Sequence, residues 1–472
     1  MVNNDNILRS NYLQQIFTKF KNLTLNAVGA ERSFYEFLRD GDVDRAIAMM
    51  QDNEADVDNA IAEYNWETHK VMSRPNKNRK NDRPYITEKL PRTRQRYINE
   101  VELFFLLGNP IVWEKTDGDD EAYSLFTDFL KDSRFDAKLR QMKRLAGAET
   151  EAAIVWRLYQ RNGEMRYNCF VVSRSEGYRL RPLFDQYGNM MAFAYGYQLK
   201  EGARVVQHWD ILTADFTFSC RKNTFGWEVS AFENKTGRIN AVYAKQTKAW
   251  DGAEQRINRE EQLDSKIGDT NNYFADPIAA ATADVVSSMT KPESVGSLIQ
   301  LTGQNSRFEY INPPQSSEAR RDEMTNLEKS ILFDTFTPDF SFDNMRGMGT
   351  LSGVAIKNAM VLGYIKRANR IEIYGDLVSR CRNVVLGILK QFHPEMSAKL
   401  DALKIDFSFA EPFDDDKQRM WQSIGTLRSQ GVISIETAVK LLSLTDAPTE
   451  EIERLRQENE PKEIQKEEKE AE

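Results

Sequence analysis

The chain has 472 residues, 40% of them hydrophobic and 29% charged, with a formal net charge of −8 and a mean hydropathy of −0.60. That length exceeds one ordinary core and predicts roughly two to four domains. The acidic balance excludes a generic nucleic-acid binder, which would be basic. No apolar run approaches the roughly 18 residues of a membrane-spanning helix, and the opening "MVNNDNILRSNYLQQIF" lacks a signal peptide's apolar stretch, so a cytosol-like compartment is expected. Cys169, Cys220 and Cys381 and His69, His208 and His393 are scattered without paired spacing, which argues against a zinc site, a disulfide framework or Cys–His nucleophilic chemistry.

The first hundred residues read as helical, with apolar residues at helical spacing in "ERSFYEFLRDGDVDRAIAMM". Between Arg74 and Arg96 stand nine Lys and Arg against only Asp82 and Glu88. That local excess is expected on an outer or upper face, available to a shell protein or to DNA. In "PRTRQRYINEVELFFLLGNPIVWE", Pro91 suits the first turn of a helix and Gly108-Asn109-Pro110 stops it.

From Ala153 to Tyr243 the period changes to two. Alternating runs flank Asn162-Gly163, Gly188-Asn189 and Lys235-Thr236-Gly237, which predicts three successive hairpins and an antiparallel sheet domain, not βαβ units. Helical spacing returns from Asp251 to Met289 and again in "SSEARRDEMTNLEKSILFDTF". The insert between them, Lys291 to Pro314, carries short strand-like pieces, so the whole reads as a stalk with a small head.

The glycine-rich stretch "DNMRGMGTLSGVAIKNAM" comes next. Its spacing, G-x-G-x-x-x-G over Gly347, Gly349 and Gly353, is not that of a dinucleotide loop, and the preceding "FTPDFSFDNM" cannot be a buried parallel strand. No lysine follows Gly353 as a P-loop requires. What remains is a Gly/Met loop ending at Thr350 or Ser352, either of which can cap the helix behind it. Helical spacing then runs from Ser352 to Gln391, on the order of 60 Å, with Gly363 and Gly375 as candidate bending points. "KIDFSFAEPF" reads as a strand, and helical patterns resume from Asp414. In "PFDDDKQRMW", the carboxylates of Asp414, Asp415 and Asp416 invite a Mg²⁺ reading, but consecutive residues on one turn do not converge, and they also serve as a helix cap.

At this point four motifs in order resemble the portal proteins of tailed bacteriophages, the group with the most compact fold. They are "FFLLGNPIVW", "NKTGRINAVY", "FTPDFS" followed by "GTLSGVAIKNAM", and "GVISIETAVKLLSLTDAPTEEIERLRQE", together spanning about residues 85 to 460. The resemblance implies an α+β portal fold: a wing with antiparallel hairpins, a helical stem, a small β-containing clip, a long kinked helix and a helical crown. The implied parts are an N-terminal helical arm with the basic segment (1–84), the first part of the wing (85–250), a stem helix (251–290), the clip (291–315), a second stem helix (316–337), a tunnel loop (338–351), the rest of the wing (352–412), and the crown with an acidic tail (413–472).

It further implies a ring, of about twelve subunits in this family, at one capsid vertex, serving DNA packaging and ejection. The ring would carry no catalytic site, cofactor or metal. Expected partners are double-stranded DNA, the terminase large subunit, a head-completion or adaptor protein, and the major capsid and scaffolding proteins, in the virion and, during assembly, the host cytoplasm. The DNA-facing positions would be Met345, Arg346, Gly347, Met348, Gly349, Thr350, Leu351 and Lys357. The docking positions of the clip would be Lys291, Glu293, Arg307 and Glu309. Physics agrees with so few cations: each phosphate neutralised adds affinity, and many lysines round a ring would lock the duplex. Arg346 alone is otherwise an ordinary solvated arginine, and Lys357 a solvated or intersubunit charge. A metal-dependent DNA-processing enzyme and a non-viral helical scaffold are the competing readings.

Overall fold

The computed structural model describes residues 34–78, 84–161, 164–202, 204–275, 279–282, 285–286, 301–302, 307–310, 317–341, 344, 346, 357–413, 417–442 and 451–455. They form two compact units. The first holds the described residues up to Asp339 together with Val361–Ala410, and the second holds those of Phe340–Met360 and from Glu411 onward.

In the first unit, helices α1 (Val43–Ala48) and α2 (Glu54–Tyr64) precede α3 (Arg94–Leu107), strand β1 (Ile111–Asp117), α4 (Asp120–Asp132) and α5 (Phe135–Glu149). Helix α4 shows how local sequence sets an element. The Asp119 carboxylate accepts from the N–H groups of Glu121 and Ala122, acids occupy the first turn, and Ala122, Phe126 and Leu130, four apart, are buried. Helix α3 ends at Leu107 with Gly108 as its cap. Pro91, however, lies outside the helix, three residues ahead of Arg94 in extended chain.

Eight strands follow: β2 (Glu151–Arg161), β3 (Glu164–Val172), β4 (Arg179–Phe184), β5 (Met190–Glu201), β6 (Arg204–Thr213), β7 (Phe216–Asn223), β8 (Gly226–Glu233) and β9 (Ala241–Lys245). They make a five-stranded antiparallel meander, β8-β7-β6-β5-β4, and a three-stranded sheet, β9-β2-β3. The hairpins expected around Asn162-Gly163 and Gly188-Asn189 are β2–β3 and β4–β5. The third expected hairpin is not one. β8 pairs with β7 and β9 pairs with β2, in different sheets. The turn between them is held from within: Asn234 Nδ2 donates to Thr213 O (2.9 Å) and Arg238 O (2.7 Å), and its Oδ1 accepts from Thr236 Oγ1 (2.8 Å). Such a side-chain-bonded turn redirects the chain as readily as it closes a hairpin.

Beyond β9 come α6 (Glu254–Ala275), the short strands β10 (Ala279–Thr282), β11 (Val285–Val286), β12 (Leu301–Thr302) and β13 (Arg307–Tyr310), then α7 (Ser317–Asp334). The first helix of the stalk therefore stops well short of the expected residue 290, and strand pairing begins at Ala279, ahead of the expected 291. Pro277 stands two positions past Ala275 and removes a donor that a continuing helix would need. The long helix is α8 (Val361–Phe392), 32 residues. Lys357–Ala359 are helical, Met360 is a turn, and residues 352–356 of the expected helix lie outside the described ones. α8 continues through both Gly363 and Gly375. Helix α9 (Ser397–Ala402) and β14 (Lys404–Phe409) close the unit, β14 pairing with β1.

Four apolar cores hold the described residues of this unit, three of them around the sheets. The main one packs α8, through Tyr374, Leu377, Val378, Cys381, Val385 and Ile388, against α4, α5 and the three-stranded sheet. Phe193, Tyr195 and Leu212 of the meander meet Ala153, Val155 and Ala241 between the sheets. The meander's other face is covered by Phe34, Leu38, Val43 and Ala46. The described residues up to Met50 are thus built into the sheet domain. In the second unit, α10 (Lys417–Ser429) and α11 (Ile435–Leu442) pack together and residues 451–455 are helical; Asp414, Asp415 and Asp416 lie outside the described residues.

Candidate functional site

The candidate site is the α6/α7 hairpin with its strand tip, together with the residues that end α7 and begin α8. α6 and α7 pack along one another. Ile257, Ile331 and the indole of Trp250 are buried with Ile98 of α3 at the hairpin's root. Charges stitch the two helices together, Arg259 Nη2 to Glu323 Oε1 at 2.7 Å, Arg256 to Asp334, and Arg94 Nη2 to Glu328 Oε1 of α7 at 2.7 Å.

Three cations of the basic segment are taken up in ion pairs, while Arg96 is exposed. Arg74 pairs with Asp269 (2.7 Å), Arg92 with Glu260 (3.2 Å) and Asp264 (3.0 Å), and Arg94 with Glu260 (2.8 Å), all acids of α6. Those acids are far away in sequence, so counting charge within the segment could not reveal them. Arg79, Lys80 and Arg83 lie outside the described residues. Nearby, His69 Nδ1 meets Glu261 Oε1 at 2.6 Å and Nε2 meets Glu63 O at 2.8 Å. The Glu63 carbonyl can only accept, so Nε2 carries a proton, and the carboxylate at Nδ1 favours the cationic imidazole. Burial opposes that charge, but the hydrogen bond and negative charge of Glu261 outweigh it and hold the His69 pKa above its usual value.

At the tip, β10 pairs antiparallel with β13, Ala280 opposite Glu309 and Thr282 opposite Arg307, and β11 pairs with β12. Of the four expected docking positions, Arg307 is exposed on β13 and Glu309 lies two residues on; Lys291 and Glu293 lie outside the described residues.

The end of α7 is fixed in place. Phe336 takes a left-handed backbone, φ 49°. Its N–H bonds to Phe333 O (3.1 Å), and the N–H of Thr337 bonds to Leu332 O (2.8 Å), the pairing of a Schellman cap built on a residue other than glycine. Thr335 and Thr337 are buried, their hydroxyls 2.9 Å apart, and Tyr97 Oη donates to Pro338 O at 2.8 Å. The start of α8 comes next. Lys366 Nζ reaches back to Thr337 Oγ1 (3.4 Å), to Ala249 O just ahead of α6 (3.2 Å) and to Glu102 Oε2 of α3 (3.4 Å). Glu102 is wholly buried and also meets Arg370 (2.9 Å) and Lys143 (2.5 Å). Burial alone would raise its pKa, but three cations hold it well below the carboxylate range. Burial pushes the Lys366 ammonium down to about 8 against the pull of Glu102. One buried carboxylate thus ties α3, α5, α8 and the root of α6 to a single point, a cluster the motif reading missed.

Of the expected DNA-facing residues, Arg346 is helical and exposed, and Lys357 is helical and half-buried. Met345, Gly347, Met348, Gly349, Thr350 and Leu351 lie outside the described residues. Among the described residues, no group of three or more His, Cys, Asp or Glu is placed to hold a metal ion, and no helix is long and apolar enough to cross a membrane.

The family described as "Phage portal protein, SPP1 Gp6-like" matches residues 47–465. The match covers most of the chain, and the chain belongs to that family: it is a phage portal protein, a structural component of the capsid vertex that serves DNA packaging, and neither competing reading has support. Among solved structures it is similar to the neck of a native GTA particle computed with C12 symmetry (11% identity, 75% of this chain and 91% of that chain, TM-score 0.40). It is also similar to the neck of an empty GTA particle computed with C6 symmetry (10% identity, 75% and 89%, TM-score 0.43). No curated protein matches the chain.

Proposed function

We propose that copies of this chain close into a ring of about twelve through head-to-tail contacts, with α6 and α7 as the stem and β10–β13 as the clip. The single observation that carries this reading is the helical hairpin with its β tip, ahead of a 32-residue helix, within a chain matched from residue 47 to 465 by the portal family. The clip, with Lys291, Glu293, Arg307 and Glu309, would dock the terminase large subunit during packaging and a head-completion or adaptor protein afterwards. Capsid and scaffolding proteins would hold the ring in the shell, first in the host cytoplasm and then in the virion. The ring performs no catalysis of its own.

DNA passes the loop of Met345, Arg346, Gly347, Met348, Gly349, Thr350 and Leu351, with Lys357 behind it. Exposed Arg346 supports weak phosphate contact, and the thioethers offer apolar contact without fixed hydrogen bonds. Glycines give the loop backbone angles closed to other residues. The test is the double variant Gly347→Val/Gly349→Val, assayed for ring formation and encapsidated DNA length. The reading expects intact rings and shorter or poorly retained DNA. Wild-type packaging would make the loop a mere connector, and lost rings would give the glycines to folding.

A further inference from the structure

Residues 86–92 run extended along the stem helix α6, and the contact is periodic. The N–H of Glu88 donates to Asp269 Oδ1 (2.7 Å), that of Leu90 to Ser265 Oγ (2.9 Å), and that of Arg92 to Glu261 Oε1 (2.8 Å). Every second residue of the segment meets every fourth of the helix, in opposite directions. An extended chain advances about 6.8 Å per two residues and an α-helix about 6 Å per four, so the repeats stay in step over these turns. The intervening position 91 is proline, which has no N–H to leave unpaired.

Three further features belong to the same contact. A Cβ at Gly268 would come within 3.2 Å of Glu88 Cγ and 3.4 Å of Leu90 Cδ1, so the missing side chain lets the segment lie close. The Arg74 guanidinium donates both to Glu88 O and to Asp269 Oδ2 (2.7 Å), fastening one end. The polar side chains of Ser265 and Glu261 are buried beneath the segment.

We propose that residues 86–92 are a strap that locks the stem helix to the wing along three successive turns, so that the stem cannot tilt alone and force entering through it passes into the wing. The lock stands on these contacts; its mechanical role rests on the portal reading.

The test uses full-length protein carrying Ser265→Ala/Asp269→Ala, which removes two acceptors, and separately Gly268→Leu, which lifts the strap and keeps every acceptor. Residue-resolved hydrogen exchange is read at Glu88 and Leu90, with the amides of β5 as reference. The expected result in both variants is exchange faster by about ten- to a hundredfold at Glu88 and Leu90, the factor for losing a hydrogen bond to a charged or buried group, and no change in β5. Rings should still form and package less DNA. Unchanged exchange at both amides in both variants overturns the strap. Faster exchange with wild-type packaged length overturns its mechanical role. Wild-type protein that forms no rings contradicts the portal reading instead, and the exchange result still decides the lock.

Discussion

Glu102 is the residue on which the wing's charge balance turns, because one buried carboxylate faces Lys143, Lys366 and Arg370. Replacing it by Gln leaves three buried cations uncompensated, so Glu102→Gln is expected to cost about 3–5 kcal/mol in denaturant unfolding. Lys366→Met keeps most of the buried stem and leaves Glu102 its other two partners; it should cost far less, about 1 kcal/mol or under, the worth of its hydrogen bonds to Ala249 O and Thr337 Oγ1. His69 gives a pH signature. Its folded pKa is raised above the unfolded value near 6.5, so its contribution is fully present below about pH 6.5 and is lost as pH rises through the folded value. Unfolding curves across that window should show stability falling with pH, and His69→Gln should flatten that slope.

At the scale of elements, the long helix offers two glycines with opposite expectations. A Cβ at Gly363 would sit 2.5 Å from both Cε atoms of the buried Phe105 ring, whereas at Gly375 it would meet nothing within 4 Å. Overpacking costs about 1–3 kcal/mol and the helix-propensity gain of Ala over Gly is about 1 kcal/mol. Gly363→Ala should therefore destabilise, with recovery in a Phe105→Leu background, and Gly375→Ala should stabilise. Equal effects of the two substitutions on denaturation midpoints would contradict the packing described. The helix runs unbroken through both glycines; the first is where another helix's aromatic ring approaches.

The elements also show what the sequence made legible. Asn162-Gly163 and Gly188-Asn189 sit between alternating runs, and both hairpins are where that pattern puts them. The same pattern around Gly237 misleads, because alternation marks a strand without saying which sheet it joins, and the choice between β7 and β2 as partner is made far from the turn. The stalk's first helix ends before its sequence pattern does, because "DPIAAATADVV" is as helical in composition as it is strand-like, and only Pro277 marks the change. Nine local cations suggested a surface, yet Arg74, Arg92 and Arg94 find their acids on α6. Glu102 was legible in principle: a carboxylate inside the apolar run "VELFFLL" must be paired when buried.

For the whole molecule, a subunit of net charge −8 with few cations in the segment proposed to face DNA suits the proposed channel for a sliding polyanion, since affinity and salt dependence grow with each phosphate neutralised. The family match fixes the class of machine; ring closure is the claim on which the stem, clip and loop assignments all depend. The direct measurement is mass photometry of the purified full-length protein together with electron microscopy of the same sample. The account predicts closed rings with a central hole and a mass near twelve times the 54.5 kDa subunit. A species of 54.5 kDa alone at every concentration, with no rings in the images, would contradict it.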